Sequence, residues 1–181
     1  ESLQDINTEL RNNLLMWESD LRLKAERLTR KFNIDNTYTA EKFFHDFFEE
    51  AEKEMLTFYN KTIDEQGHWI NPPQEVDAAL LAFALSETPF IEISKIKPAL
   101  ESTYQLLSSK IGDDGTIMYR TSTQNYRYVD TIGFVAPFLV KYGLLFNSDE
   151  AISLAINQIK TFETYGVLKN KIPCHAYDIH T

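Results

Sequence analysis

Cysteine is nearly missing from this 181-residue chain: Cys174 stands alone. A single thiol excludes an intramolecular disulfide and any multi-cysteine zinc site. Turn formers are scarce too. Six Gly and six Pro make about 7% of the chain against a usual ~12%. So few breaks exclude a sandwich or barrel of many short strands and predict few, long elements. Cations are in deficit, 18 Lys and Arg against 27 Asp and Glu, for a net charge of −9. Such a chain repels phosphate backbones, which excludes nucleic acid as a partner and disfavours an anionic membrane surface. No run approaches the roughly 18 consecutive apolar residues of a membrane span, so no membrane partner is expected. A Gly-rich phosphate loop, a Gly-x-Ser-x-Gly turn and a basic-aromatic patch are all missing.

What is present is helical periodicity. Apolar residues are 43% and charged residues 25%, the balance of a globular chain with a core of its own. Ile6, Leu10, Leu14, Trp17, Leu21, Ala25, Leu28 and Phe32 recur every three or four residues and predict a helix over 3–32. Thr39 with Glu41 reads as the capped start of a second helix over 40–63. A third, over 74–86, follows Pro73. A fourth spans 94–111 and stops at Gly112. A fifth, over 129–145, contains Pro137. A sixth, over 149–165, is capped by Ser148 with Asp149 and Glu150 in its first turn. Residues 112–128 have no helical period, with room for a short strand pair at most, and 166–181 read as a loop. The expected fold is all-α: three antiparallel helical hairpins in one domain over 1–181, spaced by roughly fifty residues without a residue-level repeat.

Two carboxylates stand out chemically. Asp77 opens an otherwise apolar helix, and Asp130 lies where the long loop turns into the fifth helix. Each is read either as a first-turn acid satisfied by backbone N–H groups or as a functional acid. For Asp130, apolar and aromatic neighbours predict a desolvated carboxyl with a raised pKa. The loops before the two aspartates carry Trp69, Tyr119, Arg120, Tyr126, Arg127 and Tyr128, a set suited to an acidic sugar. In the tail, Cys174, His175, Asp178 and His180 do not follow a zinc-ligand pattern, and neither a metal nor a cofactor is expected.

The stretch Tyr128-Val129-Asp130-Thr131-Ile132-Gly133-Phe134-Val135-Ala136-Pro137-Phe138-Leu139 resembles the aspartate-bearing helix start of the unsaturated glucuronyl and rhamnogalacturonyl hydrolases, glycoside hydrolase families 88 and 105. Val76-Asp77-Ala78-Ala79-Leu80-Leu81 is similar to their second important aspartate, and His175-Ala176-Tyr177-Asp178 to their downstream His-Gly-Trp-Asp segment. The matches cover about residues 65–181 in family order. Arg127-Tyr128-Val129 replaces the common Trp before the catalytic Asp, and Asp77 lacks the acid or Gly that often follows it.

The resemblance implies an (α/α)₆ toroid of about twelve helices, of which this chain would hold the N-terminal half. It implies a reaction on the unsaturated uronyl oligosaccharides left by polysaccharide lyases. The acid protonates C4 of the terminal C4=C5 uronate, water adds at C5, and the hemiketal opens. In this reading Asp130 is the acid and Asp77 orients the sugar and tunes Asp130. Trp69, Tyr126 and Tyr128 stack on it, Arg120 or Arg127 pairs with the uronate, and His175 hydrogen-bonds the substrate or the acid. The partner is an acidic oligosaccharide. A half toroid is also expected either to self-associate or to belong to a longer chain. The opening at Glu1, with no Met or signal pattern, suggests such a piece and a cytoplasmic protein. The competing reading is a non-catalytic helical domain that binds a glycan or a protein.

Overall fold

The computed structural model describes residues 40–180. The helix expected over 3–32 and the cap at Thr39 lie outside the described residues. Contacts divide the chain into two units, Glu1–Lys53 and Glu54–Thr181. The architecture that follows is that of the second unit.

Five α-helices occur among the described residues: α1 Ala40–Thr62, α2 Ala78–Glu87, α3 Lys97–Ser109, α4 Val129–Phe146 and α5 Asp149–Tyr165. All five were legible as periodic segments. Their starts were less so. The third expected helix begins at Ala78 rather than just after Pro73, because residues 75–80 first form a tight turn. There Ala78, Ala79 and Leu80 donate to the carbonyls three residues back. The fourth is split: a 3₁₀ turn at Ile93–Lys95 precedes α3, which carries Pro98 in its first turn. The cap on α5 is as expected, with Ser148 Oγ accepting from Ala151 N at 3.3 Å.

The helices are of two kinds. α2 has no charge before Glu87, and α4 has one Asp and one Lys in eighteen residues. α1, α3 and α5 are amphipathic. A helix apolar on most faces belongs inside a fold, and α4 packs against both α5 and α2. By length and composition α4 could cross a membrane, but Thr131, Val135, Ala136, Phe138, Leu139 and Gly143 are buried in the core. Val76, Leu85, Ile96, Leu100, Leu107 and Ile117 join them with almost no exposed surface. Each such side chain contributes about 1.5–3 kcal/mol on burial. Trp69 belongs to this core as well. Its indole N–H donates to Ala99 O at 2.9 Å and to Thr103 Oγ1 at 3.0 Å, so it is a packing residue and not a sugar-stacking one.

A repeat that the sequence hides is plain in the backbone. After α1, α3 and α5 the chain makes the same seven-residue hairpin, closed by the bridges Ile63 with Trp69, Ile111 with Ile117 and Val167 with Pro173. The second residue of each donates to the carbonyl of the sixth: Asp64 to His68, Gly112 to Thr116 and Leu168 to Ile172. The fifth residue of each is left-handed: Gly67 at φ +85°, Gly115 at +73° and Lys171 at +64°. Two of the three use Gly, which has no Cβ to clash there. The third does not, which removes the one residue type that could have marked the repeat.

The last hairpin leads into a strand where the sequence predicted only loop. β1, Tyr126–Tyr128, pairs antiparallel with β2, Ala176–Asp178. Arg127 in β1 is 4% exposed. Its guanidinium pairs with Asp114 and donates to Thr116 Oγ1, to Gln124 O at 2.7 Å and to Tyr126 O at 3.0 Å. One cation thus ties the second hairpin, the end of the long loop and the sheet together. The expected role of Arg127 as a uronate clamp does not fit this geometry, since its donors are spent inside the protein.

Desolvation pushes the Asp114 carboxyl up, but hydrogen bonds from Arg127 and Thr116 and the guanidinium charge outweigh it and hold it below the ordinary 3.8. The pair therefore stabilises the fold above that pH and loses its effect as the pH falls below it.

Two measurements check these statements. Lys171→Gly should raise stability by about 0.5–1 kcal/mol, since it relieves a left-handed Lys. Gly67→Ala should cost about 1–3 kcal/mol, because its Cβ would fall 2.6 Å from Lys95 O. Gly115→Ala meets only the Asn157 side chain and should cost less. Equal losses at Gly67 and Gly115 in urea denaturation would contradict this. Arg127→Met should cost about 3–5 kcal/mol at neutral pH by stranding Asp114. The gap to wild type should narrow below about pH 3.8, where Asp114 takes up a proton; a constant gap would refute the pairing.

Candidate active site

The pairing of β1 with β2 sets the site. Tyr128 lies opposite Ala176, and Val129 N donates to His175 O at 3.0 Å. The chain enters α4 at that point, so the next residue, Asp130, comes beside His175. Nδ1 of His175 is 3.7 Å from Asp130 Oδ1. At this distance the two are neighbours within ion-pair range, too far apart for a hydrogen bond.

The pair borders a cavity of about 220 Å³. That is below the roughly 300–1,000 Å³ of drug-sized pockets and suits one small ring. Tyr119, Tyr128 and Phe134 form an aromatic wall, with Tyr119 edge-on to Tyr128 at 5.8 Å and tilted to Phe134 at 6.3 Å. His175 meets the Tyr128 ring edge-on at 5.5 Å. Thr123 and Thr131 complete the lining, and Arg120 closes one side.

Arg120 ties Asp77 to the cavity that Asp130 borders. Its guanidinium holds Asp77 through two oxygens, at 3.3 and 3.2 Å, and Glu75 Oε2 at 3.1 Å. It also lies over the Tyr119 ring, 3.9 Å from the centroid. The hydrogen bonds to Asp77, with the charges of Asp77 and Glu75, hold the guanidinium protonated above its usual range. Asp77 itself does not line the cavity. It reaches the site only through Arg120, so its part is to position that residue. As N-cap of α2 it makes no side-chain cap bond, which sets aside the capping alternative.

The sequence-predicted residues thus separate. Asp130, His175, Tyr128 and Arg120 meet at one cavity, with Asp77 behind Arg120. Tyr126, Arg127 and Trp69 do not line it. The desolvation expected of Asp130 is also missing: its side chain is 53% exposed and that of His175 71%. The apolar residues that follow Asp130 in sequence turn into the core along α4 and leave its carboxyl at the rim. Sequence reasoning missed Glu75, Thr123, Thr131 and Phe134 as residues of the site or its border. Phe134, four positions after Asp130, shares its face of the helix, and that spacing was the available signal.

No family model matches the chain, and no curated protein does. Among solved structures, the chain is similar to cellobiose 2-epimerase from Bacillus thermoamylovorans B4167, at 17% identity and a TM-score of 0.55, covering 77% of this chain and 42% of that one. A novel alpha-amylase from Clostridium perfringens matches at 13% identity and a TM-score of 0.48, covering 71% and 42%. The chain spans about two fifths of the length of these structures. At such identity the likeness to the epimerase shows the fold alone: helical hairpins of the (α/α)₆ toroid class.

Proposed function

We propose that this cavity is the sugar-binding and proton-transfer end of a carbohydrate-active toroid enzyme, with Asp130 as the proton donor. The observation that carries the reading is the Asp130–His175 pair at the rim of an aromatic-walled cavity with Arg120 on its other side. Aromatic faces take the C–H face of a sugar ring. The carboxylic acid delivers a proton, and the imidazole beside it accepts one or returns it.

The substrate proposed is an unsaturated uronyl oligosaccharide. Asp130 protonates C4, the C4=C5 electron pair forms the new C–H bond, and water adds at the resulting C5 cation, its lost proton returning to the Asp130 carboxylate. The hemiketal then opens with loss of the neighbouring sugar. Arg120 is the cation available to the uronate, because Arg127 is buried elsewhere.

One observation favours a second reading, an uncharged sugar: Arg120 is already matched by two carboxylates, Glu75 and Asp77. With Asp130 added, the site carries more negative charge than positive.

In the full chain, Asp130→Asn should keep the fold, since Asn is nearly isosteric, and should lower turnover by about 10²–10⁴-fold. Loss of absorbance from the conjugated uronate of a lyase-generated disaccharide reads the reaction. Wild type that consumes no unsaturated uronide sinks the specific reaction. Turnover that is unchanged in Asp130→Asn sinks the assignment of the acid.

A further inference from the structure

We infer that Tyr126 is the platform for the second sugar, the one that leaves, just outside the cavity that takes the first. This deepens the sugar-site reading above and rests on it.

The cavity is too small for a disaccharide. At about 220 Å³ it takes one ring, and the proposed substrate carries at least one sugar more. That sugar has to lie outside, and the chemistry says on which side. C1 and C4 are opposite corners of a pyranose ring. With C4 held at Asp130, C1 and the sugar bonded to it lie on the far side of the ring. The carboxyl on C5, next to C4, goes to Arg120, so the Arg120 side is used as well.

Tyr126 stands where β1 continues away from Asp130. Residues two apart in a strand face the same way, roughly 7 Å from each other. Tyr126 and Tyr128 therefore present their rings on one face of β1. Tyr128 lines the cavity and Tyr126 does not. The two rings meet at 6.5 Å between centroids, tilted by 40°. Phe134, Tyr119 and Tyr128 form the wall inside the cavity, and Tyr126 continues it past the mouth. The Tyr126 side chain is 45% exposed. Its backbone is held: Tyr126 pairs with Asp178 of β2, and its carbonyl accepts from Arg127 Nη1 at 3.0 Å. A ring fixed in advance has less freedom to lose when a ligand settles on it. The other strongly exposed aromatic ring among the described residues, Tyr165, belongs to α5 and makes its ring contact with Tyr177, not with the wall. Stacking on the C–H face of a sugar needs no charge, so the platform takes a neutral or an acidic hexose.

The test compares two substrates on the full chain. Both carry the same unsaturated uronate, one linked to a second sugar and one to a methyl group. Wild type should show the higher kcat/KM on the disaccharide. Tyr126→Ala should lower kcat/KM on the disaccharide by about 3–10-fold and leave the methyl glycoside unchanged. Tyr126→Phe keeps the ring and should match wild type on both. Tyr126→Val also removes the ring but suits a strand, and it should give the same selective loss even if Ala loosens β1. Equal losses on the two substrates in both ringless variants, or no loss on either, overturn the inference and leave the sugar site standing. A wild type that consumes neither substrate overturns both.

Discussion

A single buried guanidinium decides where the chain can go between α3 and the C-terminal strand. Moving Arg127 out of water is costly, and only a well-matched carboxylate with further hydrogen bonds repays it. Asp114, Thr116 and two backbone carbonyls provide that match. These partners come from the second hairpin and the end of the long loop, so the loop has little freedom once Arg127 is in place. β1 is then fixed in register, β2 pairs with it, and His175 arrives beside Asp130. α5 supports the same hairpin from the other side, through Asn157 Nδ2 to Gly115 O at 2.8 Å and Gln158 Oε1 from Ile117 N at 2.8 Å. The candidate site therefore depends on an ion pair that does not belong to it.

The repeat explains why the chemistry collects at one end. In each round an amphipathic helix ends in the seven-residue hairpin, and the chain then enters the next element. Asp77 follows the first hairpin and immediately precedes α2. Asp130 follows the second and opens α4, and His175 follows the third. Asp77 and Asp130 each lie at the start of the helix that follows a hairpin, and His175 lies two residues past the third. Arg120 binding Asp77 at the start of α2 while lining the cavity with Asp130 at the start of α4 places both helix starts together. Lys141 of α4 meets Glu87 of α2 at 2.7 Å toward their other ends. The two apolar helices thus run side by side in the same sense, which is what brings successive rounds to a common site.

The helices were legible because burial forces a 3–4 spacing on every amphipathic segment, and α3 and α5 show it directly in Leu100, Thr103 and Leu107 and in Ala151, Ala155, Gln158 and Phe162. Asp130 and His175 were legible as residues of the right type at loop–helix junctions. Two of the misreadings share one cause. Arg127 and Trp69 looked available because their partners, Asp114, Ala99 and Thr103, are 13 to 34 residues away and leave no local mark. The same holds for β2, three residues whose only reason to be extended is β1. Side chains that look functional in a loop are as often the pins that hold it.

The electrostatics of Arg120 bear on what could enter the cavity. Asp77 holds it through two oxygens and a bidentate geometry that is hard to replace. Glu75 contributes a single oxygen, and both carboxylates are nearly half exposed, so solvent weakens each contact. An incoming carboxylate that took the place of the single Glu75 oxygen would leave the bidentate Asp77 contact intact. A neutral sugar would leave both contacts intact and use the aromatic wall instead. Either way Asp77 keeps Arg120 pressed against Tyr119, and the aromatic wall keeps its shape whichever ligand arrives.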